Sequence, residues 1–245
     1  IMIAMDISQS MLTEDLSPNR LEAAKQVAYE FIEGRPNDNI GLTLFGGEAF
    51  TQCPMTTDHI ALLSTFRGVS CDLQTNGTIS PGTAIGMGLT NAVSRLTTSK
   101  APSKVVILLT DGANNAGDIS PLTAAEIAKQ KGVRVYTIAV GRQGMVRQPV
   151  GILPDGSYYY ANVKSDMDQA TLKSIAKATG GLYYAASSKK ELRSIYQDID
   201  KLERTKLKQH HYNKYYEAYP SLAWAALGLL LIEILLRLTW LRRIP

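Results

Sequence analysis

The sequence predicts a doubly wound α/β domain, a Rossmann-like parallel sheet covered by helices on both faces, followed by one C-terminal transmembrane helix. Three observations predict it. Short apolar runs alternate with longer helical patterns from the first residue to about Lys201, residues suited to capping stand where those patterns begin and end, and Leu222 to Leu241 is predominantly apolar. The alternation is βαβ grammar, which yields parallel strands joined by helical crossovers.

The strands are expected at Ile1 to Asp6, Ile40 to Phe45, Val105 to Thr110, Val133 to Val140 and Leu182 to Ala185. The three central ones are nearly continuous in Leu, Ile and Val, the pattern of strands buried on both faces. Between them, helices are expected at Pro18 to Gly34, Thr83 to Leu96, Pro121 to Lys131, Met167 to Thr179 and Lys189 to Leu202. Ser17-Pro18 and Ser120-Pro121 each place a cap before a proline at the first helical position, and Gly34, Gly132 and Gly180 stand where helices should stop. Glu48 to Thr51 adds a short antiparallel edge strand. Arg142 to Ser165, with several Gly and Pro and the run Tyr158-Tyr159-Tyr160, reads as a surface hairpin or long loop.

Domain boundaries follow the composition. Residues 1–202 form the α/β domain, 203–220 a basic, tyrosine-rich juxtamembrane linker, 221–241 the transmembrane helix and 242–245 a tail. Twenty helical residues span about 30 Å, the thickness of a bilayer's hydrocarbon core. Eleven Leu and Ile at roughly −0.5 kcal/mol each outweigh a penalty of about +3 kcal/mol for a central charge. Glu233 and Arg237 stand four apart with the acid first, the better order for pairing. Tyr219, Trp224 and Trp240 suit interfacial belts. The arginines after the span, Arg242 and Arg243, lie closer to it than Lys206, Lys208 and Lys214 before it. That favours a cytoplasmic C-terminus and a periplasmic domain. The opening Ile1-Met2-Ile3 reads as mid-strand, which suggests a chain truncated at its start.

Bulk composition excludes several classes. With 45% hydrophobic and 20% charged residues among 245, the chain can build a core and is not disordered. Two cysteines cannot form a disulfide scaffold, and three histidines without Cys/His spacing give no zinc site. Cys53 and Cys71 either pair or remain free buried thiols. A net charge of +4 without a dense basic cluster is no nucleic-acid footprint. Neither a GxxxxGK[ST] loop nor a GxSxG elbow is present, and Gly82, Gly86 and Gly88 suit close helix packing rather than a dinucleotide fingerprint.

The chemistry concentrates at strand ends. In an extended segment Asp6, Ser8 and Ser10 point the same way and present one carboxylate and two hydroxyls to a common point. In a doubly wound sheet, ligands gather beyond the carboxyl ends of the strands, where the strand order reverses. Asp111, in Leu109-Thr110-Asp111-Gly112, and Thr83, in Pro81-Gly82-Thr83, can reach the same place. Such an all-oxygen set suits a hard cation such as Mg²⁺. Taken singly, each piece is a helix cap or a turn; together they favour a metal site.

These residues resemble the metal-ion-dependent adhesion site (MIDAS) of the von Willebrand factor type A (VWA) domain, a DxSxS motif joined by a distant Thr and Asp. Asp6, Ser8 and Ser10 match the motif, with Thr83 and Asp111 matching the distant pair. The resemblance covers roughly residues 1–202 and narrows to the BatA-like aerotolerance proteins of bacteria. Arg20-Leu21-Glu22-Ala23-Ala24-Lys25, Thr51-Gln52-Cys53-Pro54, Gly82-Thr83-Ala84-Ile85-Gly86 and Leu109 to Gly117 carry it. Members of that family typically also have membrane helices before the domain. The resemblance implies a bacterial inner-membrane protein, not an enzyme, whose bound Mg²⁺, or Mn²⁺ or Ca²⁺, accepts a Glu or Asp from another polypeptide. It implies as partners sibling Bat proteins, of VWA and helical-repeat type, and a MoxR-class AAA+ ATPase. Two rival readings are a metal-dependent hydrolase or phosphatase using the same site and a membrane anchor whose site holds no metal.

Overall fold

The computed structural model describes residues 1–99, 101–153, 158–165, 167–208 and 219–239. The chain divides into two units, Ile1–Leu207 and Lys208–Pro245.

The first unit is a mixed α/β sandwich. Its strands and helices run β1 (Met2–Asp6), α1 (Arg20–Glu33), β2 (Ile40–Phe45), β3 (Ala49–Thr56), α2 (His59–Arg67), α3 (Asp72–Thr75), α4 (Ile85–Thr97), β4 (Val105–Thr110), α5 (Pro121–Gln130), β5 (Arg134–Val140), β6 (Gly144–Ile152), β7 (Tyr158–Ser165), α6 (Gln169–Thr179), β8 (Tyr183–Ala186) and α7 (Lys189–Lys208). Six strands form one sheet in the order β3-β2-β1-β4-β5-β8. All pairings in it are parallel except β2 with β3. The antiparallel edge strand expected near Glu48 is therefore present, and it is longer than its sequence pattern indicates. β6 and β7 form a separate antiparallel hairpin within the irregular stretch 142–165.

Strand alternation sorts the core into two layers. From β1, Ile3 and Met5 point into one layer with Val27 and Phe31 of α1 and Leu192 and Ile199 of α7. Met2 and Ala4 point into the other with Leu89 of α4, Ala128 of α5 and Leu172 of α6. Each fully buried Leu, Ile or Met removes enough apolar surface from water to contribute about 1.5–3 kcal/mol. The sheet is thus held from both sides, as unbroken apolar strands require. Cys53 and Cys71 are both buried and free.

Several boundaries differ from expectation for physical reasons. α1 starts at Arg20 rather than Pro18, because the Asn19 side chain accepts the Glu22 N–H at 2.8 Å and makes Asn19 the cap. α4 starts at Ile85, which leaves Thr83 in the preceding loop. Ser120 caps α5 as expected, with Pro121 in the first turn. Gly180 closes α6 in the left-handed conformation that glycine tolerates. The α/β unit does not stop at Leu202: α7 continues to Lys208, and Glu203 is buried against the sheet, where it accepts from Tyr136 and Arg134. Part of the expected 203–220 linker is therefore helix; residues 209–218 and the 242–245 tail lie outside the described residues.

The second unit contains α8 (Tyr219–Thr239), in the place the apolar run predicts. Its transmembrane reading needs correction. Among the described residues, no helix is long and apolar enough to cross a membrane. The described side chains of α8 are those of residues 222–237. They include the Glu233–Arg237 ion pair at 3.0 Å. Trp240 and Leu241, which complete the expected span, lie outside the described residues.

Candidate metal centre

The sheet order reverses at β1 and β4, whose carboxyl ends deliver Asp6, Thr110 and Asp111 to the switch point. Asp6 ends β1 and is fully buried. The Thr110 hydroxyl donates to its Oδ2 at 2.6 Å and the Ser8 N–H to its Oδ1 at 2.8 Å.

Ser10 reaches the site by a route other than the expected extended strand. Ser8 precedes a single 3₁₀ turn, Gln9–Leu12, and Ser10 sits within it. The tighter turn brings the Ser8 and Ser10 hydroxyls to 2.9 Å from each other. The Ser10 hydroxyl also donates to Asp111 Oδ1 at 2.7 Å. One hydroxyl thus joins the first motif to the loop after β4.

Thr83 comes to the same cavity from a third loop. That loop is held by a reciprocal pair: the Thr83 N–H donates to Asn115 Oδ1 at 2.7 Å, and the Asn115 N–H donates to the Thr83 carbonyl at 3.1 Å. Gly82 has φ +111°, and a Cβ there would lie 2.9 Å from Asn115 Oδ1. The loop therefore needs glycine at this point. Ser10, Thr83 and Asp111 line one cavity of about 260 Å³. Asp6 and Ser8 are not among its lining residues; they are joined to it through the Ser8–Ser10 hydroxyl contact and to each other by the Ser8 N–H.

Three further residues, which the spacing argument did not single out, build the site. The Gln74 side chain accepts the Gln9 N–H at 3.0 Å and donates to the Gly82 carbonyl at 2.7 Å, tying the first loop to the Thr83 loop. Arg20 is 1% exposed and donates to Asp111 Oδ2 at 2.8 Å. Its Nε and Nη2 engage the two oxygens of Asp15 at 2.8 and 2.7 Å. In the sequence Arg20 figures only in the Arg20 to Lys25 stretch that carries the family resemblance; as the first residue of α1 its cation opposes the helix dipole. Such a local violation marks a residue recruited by tertiary structure.

The electrostatics favour a further cation. Burial, with the Asp111 charge added, pushes the Asp6 carboxyl up to about 7, although hydrogen bonds from Ser8 and Thr110 oppose the rise. Burial likewise raises Asp111, against the pull of Arg20. The Asp6, Asp15 and Asp111 side chains are each at most 5% exposed. With all three ionised and Arg20 as their buried counter-charge, the cluster is formally two charges negative, the amount one divalent cation neutralises. Among the described residues no group of three or more His, Cys, Asp or Glu is disposed to hold a metal. The candidate ligands are instead carboxylates and hydroxyls, oxygen donors suited to Mg²⁺, Mn²⁺ or Ca²⁺.

The model of the von Willebrand factor type A domain matches residues 1–198. The chain belongs to that family. A protein of Borreliella burgdorferi without an assigned function is 32% identical to the VWA chain over 209 residues, 85% of this chain and 60% of that protein. The chain spans about three fifths of the length of the curated relatives it matches first. Among solved structures, BatB from Bacteroides thetaiotaomicron is 30% identical with a TM-score of 0.70, covering 83% of this chain and 98% of that one. An aerotolerance-related membrane protein from Bacteroides fragilis is also 30% identical, with a TM-score of 0.68 and coverage of 82% and 96%. The resemblance to the Bat group is thereby borne out. Proximal thread matrix protein 1 of the mussel byssus, a structure with a zinc-occupied MIDAS motif, shares the VWA fold at 24% identity and a TM-score of 0.59, over 82% of this chain and 44% of that one.

Proposed function

We propose that this VWA domain is a non-catalytic, divalent-metal-dependent recognition module of a Bat-type assembly. Asp6, Ser8, Ser10, Thr83 and Asp111 are its ligand set, directly or through water. One observation carries the reading: the Ser10 hydroxyl spans 2.9 Å to Ser8 and 2.7 Å to Asp111, so a single oxygen locks two distant loops around one point. Bound Mg²⁺, or Mn²⁺ or Ca²⁺, would supply an open electrophilic position able to accept a carboxylate from another polypeptide.

The protein's own residues prepare that position. Thr110 and the Ser8 amide hold Asp6 in one orientation. Arg20 takes one oxygen of Asp111 and leaves the other toward Ser10. Half-buried Ser10 and Gly112 leave the mouth of the site accessible.

The proposed partners are sibling Bat proteins, including helical-repeat members, and a MoxR-class AAA+ ATPase. The supporting likeness is to BatB and the Bacteroides membrane protein. Attachment to the bacterial inner membrane through α8, with the domain on the periplasmic side, belongs to the same proposal. Leu222, Leu229, Leu230, Ile232 and Leu235 are all exposed on α8, a surface that water disfavours.

The test is Mn²⁺ titration of the purified chain and of Asp6→Ala, followed by capture of purified Bat and MoxR-class candidates with and without chelator. The proposal expects one Mn²⁺ site and chelator-sensitive capture, both lost in the variant. Turnover of phosphate esters that disappears with the same substitution would overturn it in favour of an enzyme.

A further inference from the structure

Both feet of the β6–β7 hairpin rest on the guanidinium that holds the Asp111 carboxylate. Arg20 Nη2 donates to the hydroxyl of Ser165, the last residue of β7, at 3.2 Å. At the other foot, Gly141 lies against the same group. With φ +129°, a Cβ there would come within 2.5 Å of Arg20 Cζ and Nε. Next to it, the Arg142 N–H donates to Asp15 Oδ2 at 2.7 Å, on the carboxylate that clasps Arg20.

An isolated two-stranded hairpin is marginally stable in water. Its other tie to the first unit includes the Glu14 N–H donating to the Arg147 carbonyl at 3.1 Å. The Glu14–Arg147 ion pair is solvent-exposed, at 35% and 64%, and contributes little. The Arg20–Ser165 bond is buried, and so are Val146 and Pro149 of β6. The hairpin also forms part of the candidate metal cavity, to which it supplies Gln148, Val163, Lys164 and Ser165.

We infer that Arg20 is a positioning residue that couples the metal loops to the β6–β7 hairpin, so that loading the site orders the hairpin as the adjoining wall of the partner surface. The inference rests on the metal reading above. Asp111 is shared between the two parts, with Oδ1 toward Ser10 and Oδ2 toward Arg20. Whatever fixes the Asp111 rotamer fixes the guanidinium, and through it both feet of the hairpin. Here the two-sided element is one buried side chain with partners on each part, a physical link rather than mere proximity.

The experiment is hydrogen–deuterium exchange of the β6 and β7 amides in the purified full chain, with Mn²⁺ as the probe and its binding measured separately. Saturating Mn²⁺ should slow exchange in the hairpin roughly threefold or more. In Arg142→Pro/Ser165→Ala, which removes the Arg142 N–H and the Ser165 hydroxyl but keeps all three carboxylates and the Arg20–Asp111 pair, Mn²⁺ should still bind while the slowing disappears. If that variant is too unstable to use, Ser165→Ala alone should show a smaller slowing than wild type. A wild-type hairpin indifferent to bound Mn²⁺, or full slowing in the variants, overturns the coupling. Failure of the wild type to bind Mn²⁺ overturns the metal reading and the coupling with it.

Discussion

Ser10 donates its hydroxyl hydrogen to Asp111 Oδ1 at 2.7 Å, although 101 positions separate the two residues in sequence. Ser10→Ala removes both that bond and the contact with Ser8. Loss of a side chain that holds or orients a metal ligand costs affinity on the order of 10- to 100-fold. The metal-free stability should fall by only about 1–3 kcal/mol, the cost of leaving part of a buried carboxylate unbonded. Calorimetric Mn²⁺ titration and urea melts on the same samples separate the two effects. Unchanged Mn²⁺ affinity would remove Ser10 from the site.

Asp6 and Asp111 repel each other across a buried space, which the metal-free chain tolerates at a cost. Asp6→Asn keeps the shape and removes one of the two charges; its single oxygen can accept the Ser8 N–H, while its NH2 donates to the Thr110 hydroxyl, which turns to accept. It should therefore raise the melting temperature of the metal-free protein at neutral pH while abolishing the further rise on adding Mg²⁺. Ligand that binds only the folded form stabilises it by RT ln(1 + [L]/Kd), so a melt with and without the ion measures both halves. A metal-dependent rise that survives in Asp6→Asn would contradict the ligand assignment.

Glu203 anchors the C-terminal end of α7 to the sheet. Burial raises its carboxyl, but hydrogen bonds from Tyr136 and Arg134 outweigh that and hold it below its usual value of 4.5. Arg134 contributes an ion pair at 2.5 Å and Ser103 a hydrogen bond at 3.1 Å. Because the folded value lies below the unfolded one, the contribution is fully present above pH 4.5 and is lost as pH falls through the folded value. Glu203→Gln should flatten that acid limb of the stability curve and destabilise the neutral protein by about 1–3 kcal/mol. Urea melts from pH 3 to 7 test it, and an unchanged acid limb would refute the anchoring role.

Short apolar strands and capped helices made the sheet and most helices legible, because burial on both faces keeps β1, β2, β4 and β5 predominantly apolar. The site was legible to the extent that strand ends point at a switch point: Asp6 and Asp111 needed only the topology. Ser10 comes beside Asp111 on a 3₁₀ turn rather than the expected extended backbone, since a two-residue period and a 3₁₀ turn can both bring neighbouring hydroxyls together. Gln74 and Asp15 were not legible, because nothing local distinguishes a bridging amide or acid from a solvated one. Glu203 shows the same limit from the other side. It falls four residues after buried Ile199, on the helical face toward the core, but a charge at that position reads as the end of a helix until Arg134 and Tyr136 are seen opposite it.

Gly86 tests whether the Thr83 loop and the loop after β4 act as one body. A Cβ on Gly86 would lie 1.9 Å from the Ile119 carbonyl oxygen and 2.9 Å from the Ser120 carbonyl carbon, backbone that no side-chain rotation relieves. Gly86→Ala must push the first turn of α4 away from residues 119–120, and so draw Thr83 away from the segment that begins at Asp111. Overpacking of this kind costs about 1–3 kcal/mol, and Mn²⁺ affinity should fall with it. Gly132→Ala is the control. Its φ is +67° with nothing within 4 Å of the added carbon, so it costs about 1–2 kcal/mol through left-handed backbone strain alone and should leave Mn²⁺ affinity unchanged. Equal losses of stability with no difference in metal affinity would mean that the two loops are not mechanically joined.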